Sequence, residues 1–386
     1  MKINKYFFFL IPFLLEFSNE KFNVNLSPLP YSLGYLSFIV VSFLCFKKFN
    51  RKLFFINFIP ILIFWVGLLI GSFFADDFVK SISISIASIP YYFACAYFSY
   101  FLFERRNNKF PFILFFIVFL INAIYLISYV FSGNNFISYS SLTLGDNSLR
   151  NHHNIGFLIS ISALFFSTYF LEIKKNKFSI SIFIVTSILL MLSESRSNFL
   201  LFIISFLTIL IIKYNVFRFI NIMLLIVIIS IPLINYIGNF DFISQRFSIS
   251  DTQYHYDNTD DRRAIYLEAP KYISSNIFGK GNKEFRIKIG DNNIVPHNMY
   301  ITTLLSGGII SFIGLMMLII RAYKSVKYLN FVKALSAYEK ALASVMLIIL
   351  FTFTTIDFFG FNLLILFSIC FYFNYKASKF KTKNFV

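Results

Sequence analysis

Long apolar runs alternate with short polar connections along almost the whole chain, and one polar stretch, 238–296, breaks that rhythm. A helix that crosses a bilayer needs roughly 20 mostly apolar residues. Runs that meet or approach this length occupy Tyr6–Phe17, Tyr31–Phe46, Leu53–Ala75, Ser81–Phe103, Phe110–Ser132 and Ile155–Leu171. They continue with Phe178–Leu192, Phe199–Ile212, Phe219–Ile237, Met299–Ile320, Ala341–Ile356 and Leu363–Phe373. The pattern predicts an all-α polytopic integral membrane protein of about twelve transmembrane helices, ten to twelve because several runs are short. It forms a single transmembrane domain over 1–386, with one long loop over 238–297. The first run follows Lys2 and Lys5 like a secretory signal, but no small-residue cleavage site follows, which predicts an uncleaved first span.

Composition agrees with this class: 58% of the residues are hydrophobic and 14% charged, which excludes an ordinary soluble domain of this length. Cys45, Cys95 and Cys370 each lie in an apolar run, without a partner at a disulfide or metal-ligand spacing.

The formal net charge of +17 points to nucleic acid only if its distribution is ignored. With the N-terminus placed in the cytoplasm, 23 of the 35 basic residues fall on the segments that would face inward. Lysine and arginine collect on that side of membrane proteins, so the charge is an orientation signal and no nucleic-acid partner is expected. Both termini are then predicted to be cytoplasmic. The long loop faces outward and carries 8 basic and 8 acidic residues, neutral overall. His152, His153, His255 and His297 also fall outside.

Candidate chemistry concentrates on this outer side. Arg196, in the turn Ser193-Glu194-Ser195-Arg196, is either a helix-end side chain reaching the interface or a guanidinium shaped to clamp phosphate oxygens. Arg262 and Arg263 follow Thr259, Asp260 and Asp261, which reads as a helix start with a cap and acids in the first turn. The segment after them is apolar enough to lie on the membrane surface, with Pro270 kinking it. Gly279-Lys280-Gly281 lacks the remainder of a phosphate-binding loop and reads as a chain reversal. His297 opens the tenth span; an imidazole there is either an interfacial polar residue or a general base for a sugar hydroxyl. No cluster with metal-ligand spacing occurs in the outer loops, and no metal or other cofactor is expected.

These residues resemble the O-antigen ligase and polymerase superfamily. LLMLSESRSNFLLFIISFL is similar to its Ser-Arg span, DDRRAIYLEAPKYISSNIFGKG to its arginine-aromatic helix and glycine turn, and PHNMYITTLLSGGIISFIG to its His-Asn-x-Tyr signature. The resemblance implies a GT-C-like glycosyltransferase of lipopolysaccharide biosynthesis in the bacterial inner membrane, with its active site on the periplasmic side. The donor would be an undecaprenyl-diphosphate-linked glycan, the acceptor a lipid A core or another glycan, with membrane lipids around both. It further implies that Arg196 and Arg262, with Arg263 beside it, bind the diphosphate and that His297 activates the acceptor hydroxyl. Asn298, Tyr300, Gly279 and Gly281 would support the site. Two positions depart from the family pattern: Ile277 stands where proline is usual, and Ser306 where an acid is common.

The His-Asn-x-Tyr pattern leans towards a ligase that delivers to lipid A core, while the neutral loop leaves a repeat-unit polymerase as the alternative. A polysaccharide flippase shares the architecture, but it would place charges or broken helices at the bilayer midplane.

Overall fold

In the computed structural model, the described residues are 51–103, 109–131, 152–193, 195–213, 252–281, 287–289, 292–294, 296, 298–353 and 361–384. They form ten helices and one hairpin: α1 Arg51–Ser72, α2 Phe78–Phe103, α3 Lys109–Phe131, α4 His152–Glu172, α5 Asn176–Leu192 and α6 Arg196–Lys213. Then follow α7 Thr252–Ser275, β1 Ile287–Ile289, β2 Asn292–Ile294, α8 Met299–Phe331, α9 Ala337–Thr352 and α10 Phe361–Asn384. Each expected span that falls on described residues overlaps a helix, Phe110–Ser132 and Ala341–Ile356 over their described parts. Those at Tyr6–Phe17, Tyr31–Phe46 and Phe219–Ile237 lie outside the described residues. Among the described residues, three helical stretches, Arg51–Ser72, Ile155–Glu172 and Met299–Phe331, are long and apolar enough to cross a membrane.

The chain divides into two compact units, one of 1–111, 257–335 and 353–386, the other of 112–256 and 336–352. In the first, α1 and α8 are the principal pair, and small residues on both let the backbones come close. Gly67 and Gly71 of α1 form a G-x-x-x-G pair that faces Gly307, Ser311 and the carbonyl of Ser306. Ser311 Oγ donates to the carbonyl of Phe64 at 2.7 Å, and Gly314 leaves room for Phe64 and Pro60. Phe54, Phe58, Ile61, Phe64 and Leu68 turn inward from α1, while Phe55, Ile56, Ile59 and Leu62 are exposed. An apolar outer face of this kind suits lipid, not water.

One residue interrupts α8. Gly308 has φ +63° and ψ −162°, a region open essentially to glycine alone, so the helical ladder breaks there. The groups released by the break are taken up by the turn after α7. The N–H of Lys280 donates to the carbonyl of Leu305 at 2.7 Å, that of Gly281 to Ser306 at 2.8 Å, and that of Ile309 to Ile277 at 2.9 Å. Buried backbone groups must find partners, and here a distant loop supplies them. Since Gly71, the penultimate residue of α1, abuts Ser306 and Gly281, the break stands level with the end of α1, not halfway along it.

In the second unit, α4 is packed by α5, α6 and α9. Phe115 stacks on Phe165 at 4.4 Å between ring centroids, and Phe183 on Phe206 at 4.5 Å. At one end Glu172 of α4 accepts from Lys213 of α6 at 3.0 Å and from Lys340 of α9 at 2.7 Å. Three helix ends are thereby tied by one carboxylate.

Candidate functional site

The arginine helix α7 begins at Thr252, so Thr259, Asp260 and Asp261 lie inside it and not at its start as the sequence had indicated. A cap-like triplet is only one way to open a helix, and the chain upstream carries no glycine or proline to prevent an earlier start. Pro270 is accommodated within the helix.

Helical phase separates the two arginines. The buried residues Ile265 and Ala269, with Tyr272 and Ile273 partly buried, form one stripe of α7 packed with Leu305 of α8 and Ile287 of β1. With about 100° of rotation per residue, position 262 falls next to the centre of that stripe one turn earlier, whereas position 263 falls well round towards the opposite face. The register of α7 on α8 is thus set by apolar packing, and it distinguishes Arg262 from Arg263.

The start of α8 is closed to a free anion. Asn298 caps it: Oδ1 accepts from the N–H of Tyr300 at 3.0 Å and of Ile301 at 3.2 Å. The N–H of Met299 donates to the carbonyl of Phe353 at 2.8 Å, and that of Thr302 to Asn298 at 2.9 Å. All of the first-turn donors are used, so any anion here must be held by side chains. On its other side, Asn298 Nδ2 donates to the phenolic oxygen of Tyr266 at 3.3 Å, joining α7 to the α8 terminus. Tyr300 is half-buried with its ring against Phe353. His297 itself lies outside the described residues, between the buried Pro296 and the buried Asn298.

Gly279 and Gly281 have φ of +81° and +85°, the left-handed conformation that reverses the chain. All three amides of Gly279-Lys280-Gly281 are committed, that of Gly279 to the carbonyl of Asn276 at 2.8 Å and the other two to α8. No N–H remains to cradle a phosphate, which supports the reading of this segment as a turn. Ser306, at the position where the family often has an acid, is buried and turns its hydroxyl back to the carbonyl of Thr302 at 2.7 Å.

Arg196 is the first residue of α6 and belongs to the second unit; Glu194 lies outside the described residues. The turn before it packs on α4, where Gly156 leaves room for Ser193, Ser195 and Asn198. Asn198 Nδ2 donates to Ser195 Oγ at 2.8 Å. His152 and His153, the first residues of α4, therefore open the helix that receives this turn, a neighbourhood that no spacing in the sequence disclosed. Among the described residues, no group of three His, Cys, Asp or Glu side chains is gathered to hold a metal ion.

Helices of this length and apolarity, joined to a polar segment that caps one of them, define a helical membrane protein with its polar groups at helix ends. Residues 181–316 match the family model described as O-antigen ligase, so the chain carries the signature of the O-antigen ligase and polymerase superfamily read from its motifs. The match runs from within α5 through the arginine helix and the glycine turn to beyond the break in α8. The coarse activity that accompanies it is that of a lipid-linked glycan transferase of ligase or polymerase type. No curated protein matches the chain.

Proposed function

We propose that this protein transfers a glycan from undecaprenyl diphosphate to an acceptor sugar at the periplasmic face of the inner membrane, as an O-antigen ligase with lipid A core as acceptor. The observation that carries this is the junction of α7 with the capped end of α8 through Tyr266 and Asn298, the residue directly after His297. In this reading the acceptor hydroxyl loses its proton to the His297 imidazole while its oxygen bonds the anomeric carbon. The bond from that carbon to the diphosphate breaks, and undecaprenyl diphosphate leaves with the electron pair. Arg196 and Arg262 neutralise the departing charge, with Arg263 as an outer contributor, so no metal is required. An arginine at the first position of α6 adds to the positive end of the helix dipole, an arrangement that favours a bound anion.

The depth of the chemistry supports a transferase over a flippase. The break in α8 is level with the end of α1, and from it the helix continues for about 13 Å towards Met299, at 1.5 Å per residue. In this reading the signature residues lie at the outer ends of the spans. Among the described residues the single buried charge is Glu339, whose carboxylate accepts from the backbone and hydroxyl of Ser336 at the start of α9. The topology of about twelve spans, ten to twelve, with cytoplasmic termini and a single transmembrane domain, carrying part of the site on the loop 238–297, belongs to this proposal.

The neutrality of that loop favours a second reading, a repeat-unit polymerase, because phosphorylated lipid A finds no added attraction there. Purified protein supplied with lipid-linked glycan and either lipid A core or a second lipid-linked repeat decides between them. Glycosylated core identifies the ligase and an elongated repeat the polymerase. If neither acceptor releases undecaprenyl diphosphate, the transferase reading is overturned.

A further inference from the structure

Tyr266 is half-exposed on α7, one helical turn after Arg262, and its phenolic oxygen accepts from Asn298 Nδ2. The direction of this bond is fixed. Asn298 Oδ1 faces α8, where it accepts from two backbone N–H groups, so the amide nitrogen is the part turned to Tyr266. An amide nitrogen only donates; the phenol must accept and keeps its own O–H for another partner. Among the described residues no acceptor takes that hydrogen. Ile265 and Ala269 hold the register of α7 against Leu305 and Ile287, and position 262 lies one helical turn before Tyr266.

We propose that Tyr266 is a binding residue of the diphosphate site, its O–H donating to an oxygen of the lipid-linked diphosphate beside the charge supplied from position 262. This rests on the reading of α7 as the diphosphate-binding helix. Residues four apart on a helix are neighbours, so a phenol and a guanidinium from these positions reach one ligand together. Donation from Asn298 polarises the phenol and strengthens its O–H as a donor. Asn298 then has two tasks: Oδ1 caps α8 and Nδ2 aims Tyr266. A neutral donor supplements the arginines without adding charge that would have to be desolvated.

The test is binding of undecaprenyl diphosphate, without glycan, to the full chain in detergent. Tyr266→Phe keeps the ring and its packing but removes the O–H. Affinity should fall about tenfold or more, as for loss of a hydrogen bond to a charged group, with the thermal midpoint unchanged. Asn298→Asp keeps the cap, since Asp caps a helix as well as Asn, but its carboxylate accepts and draws the phenolic hydrogen to itself. It should weaken binding clearly more in the wild-type background than in the Tyr266→Phe background. Strictly additive losses would mean that the new charge acts alone, and would overturn the coupling. Arg262→Ala separates this inference from the one beneath it. If that variant binds normally, the diphosphate reading of α7 fails and this assignment with it. If Arg262→Ala binds weakly while Tyr266→Phe binds normally, the assignment of Tyr266 alone is overturned.

Discussion

The N–H of Gly281 donates to the carbonyl of Ser306 at 2.8 Å, across 24 residues of chain. With the Lys280 to Leu305 and Ile309 to Ile277 bonds, it splints a helix broken at Gly308 with a turn that begins where α7 ends. A helix broken in an apolar setting would expose several unpaired backbone groups, each costing ~1–3 kcal/mol. The splint removes that cost and also fixes α7, because the turn cannot leave α8 without reopening the break. Rigid positioning of the arginine helix and a glycine that interrupts a span are thus two sides of one arrangement.

Gly281→Ala tests the splint. At φ +85° a side chain is strained, and the added Cβ would run into Ser81 Oγ and stand 3.0 Å from both Ser72 Cα and Ala75 Cβ, so the surrounding groups must shift. Left-handed strain of ~1–2 kcal/mol and overpacking of ~1–3 kcal/mol predict a loss of about 2–5 kcal/mol. The thermal midpoint in detergent should fall well below that of Lys280→Ala, where the side chain changes and the turn does not. Equal midpoints would show that the turn carries no such constraint.

The spans were legible because apolar length is a direct consequence of bilayer thickness, and α1, α4 and α6 lie within a few residues of the runs that announced them. The α10 helix was only partly legible. Its apolar run ends at Phe373, yet the helix continues to Asn384 because polar contacts take over: Asn374 accepts from Ser325 at 2.9 Å, and Lys376 donates to the carbonyl of Ala334 at 2.9 Å. Gly308 could be seen in the sequence, but not its break, since the partners of the freed groups lie in a turn about 30 residues away and bond through backbone that no side-chain pattern encodes. Tyr266 and Asn298 were each visible as motif members. Their mutual bond depends on the register of α7 on α8, which apolar packing sets and spacing alone does not.

Arg262 and Arg263 should behave differently although they are adjacent. By helical phase, position 262 continues the stripe of Ile265 and Ala269 and position 263 does not, so Arg262→Ala is expected to lose at least ~10-fold more transfer activity than Arg263→Ala. Arg196→Lys retains charge but loses the planar fork, and should also lose most activity. Transfer rates of these purified variants, normalised to folded protein, provide the check. Equal effects at 262 and 263 would contradict the assignment by helical phase, and normal activity in Arg196→Lys would leave that residue as an interfacial anchor.

The orientation predicted from the charge pattern can be read by labelling. Lys271 on α7 and Lys324 on α8 are both exposed, so a cysteine replaces either with little cost to packing. Lys271→Cys should react with an impermeant thiol reagent in cells whose outer membrane is permeabilised, and Lys324→Cys only after lysis. The reverse pattern would move the proposed site to the cytoplasmic face, where the proposed periplasmic transfer could not occur.

Glu172 is expected to matter for stability and not for donor recognition. Its carboxylate is only 18% exposed and is shared by Lys213 and Lys340, so Glu172→Gln leaves two ammonium groups facing each other across a neutral amide. A loss of about 1–3 kcal/mol follows from breaking a partly buried charge cluster, smaller than for a fully buried one because the lysines retain some water. The thermal midpoint should fall, less so in high salt, while affinity for undecaprenyl diphosphate stays at the wild-type value. A fall in that affinity with an unchanged midpoint would assign the cluster a role in the site instead.

The most demanding prediction concerns His297. If its imidazole takes the proton of the attacking hydroxyl, His297→Ala should lower turnover by ~10²- to 10⁴-fold, the usual contribution of a positioned general base. Donor affinity should change little, because the arginines and not the imidazole hold the diphosphate. Helix α8 should remain folded, since its first-turn amides are satisfied by Asn298 and Phe353 and none depends on residue 297. Wild-type activity should fall as pH decreases, because a protonated ring cannot accept. The variant's residual activity should lack that dependence. Measuring midpoint, donor affinity and transfer rate against pH on one preparation separates base from scaffold: a well-folded His297→Ala protein with normal transfer would leave attack assisted by the substrate's own oxygens as the mechanism.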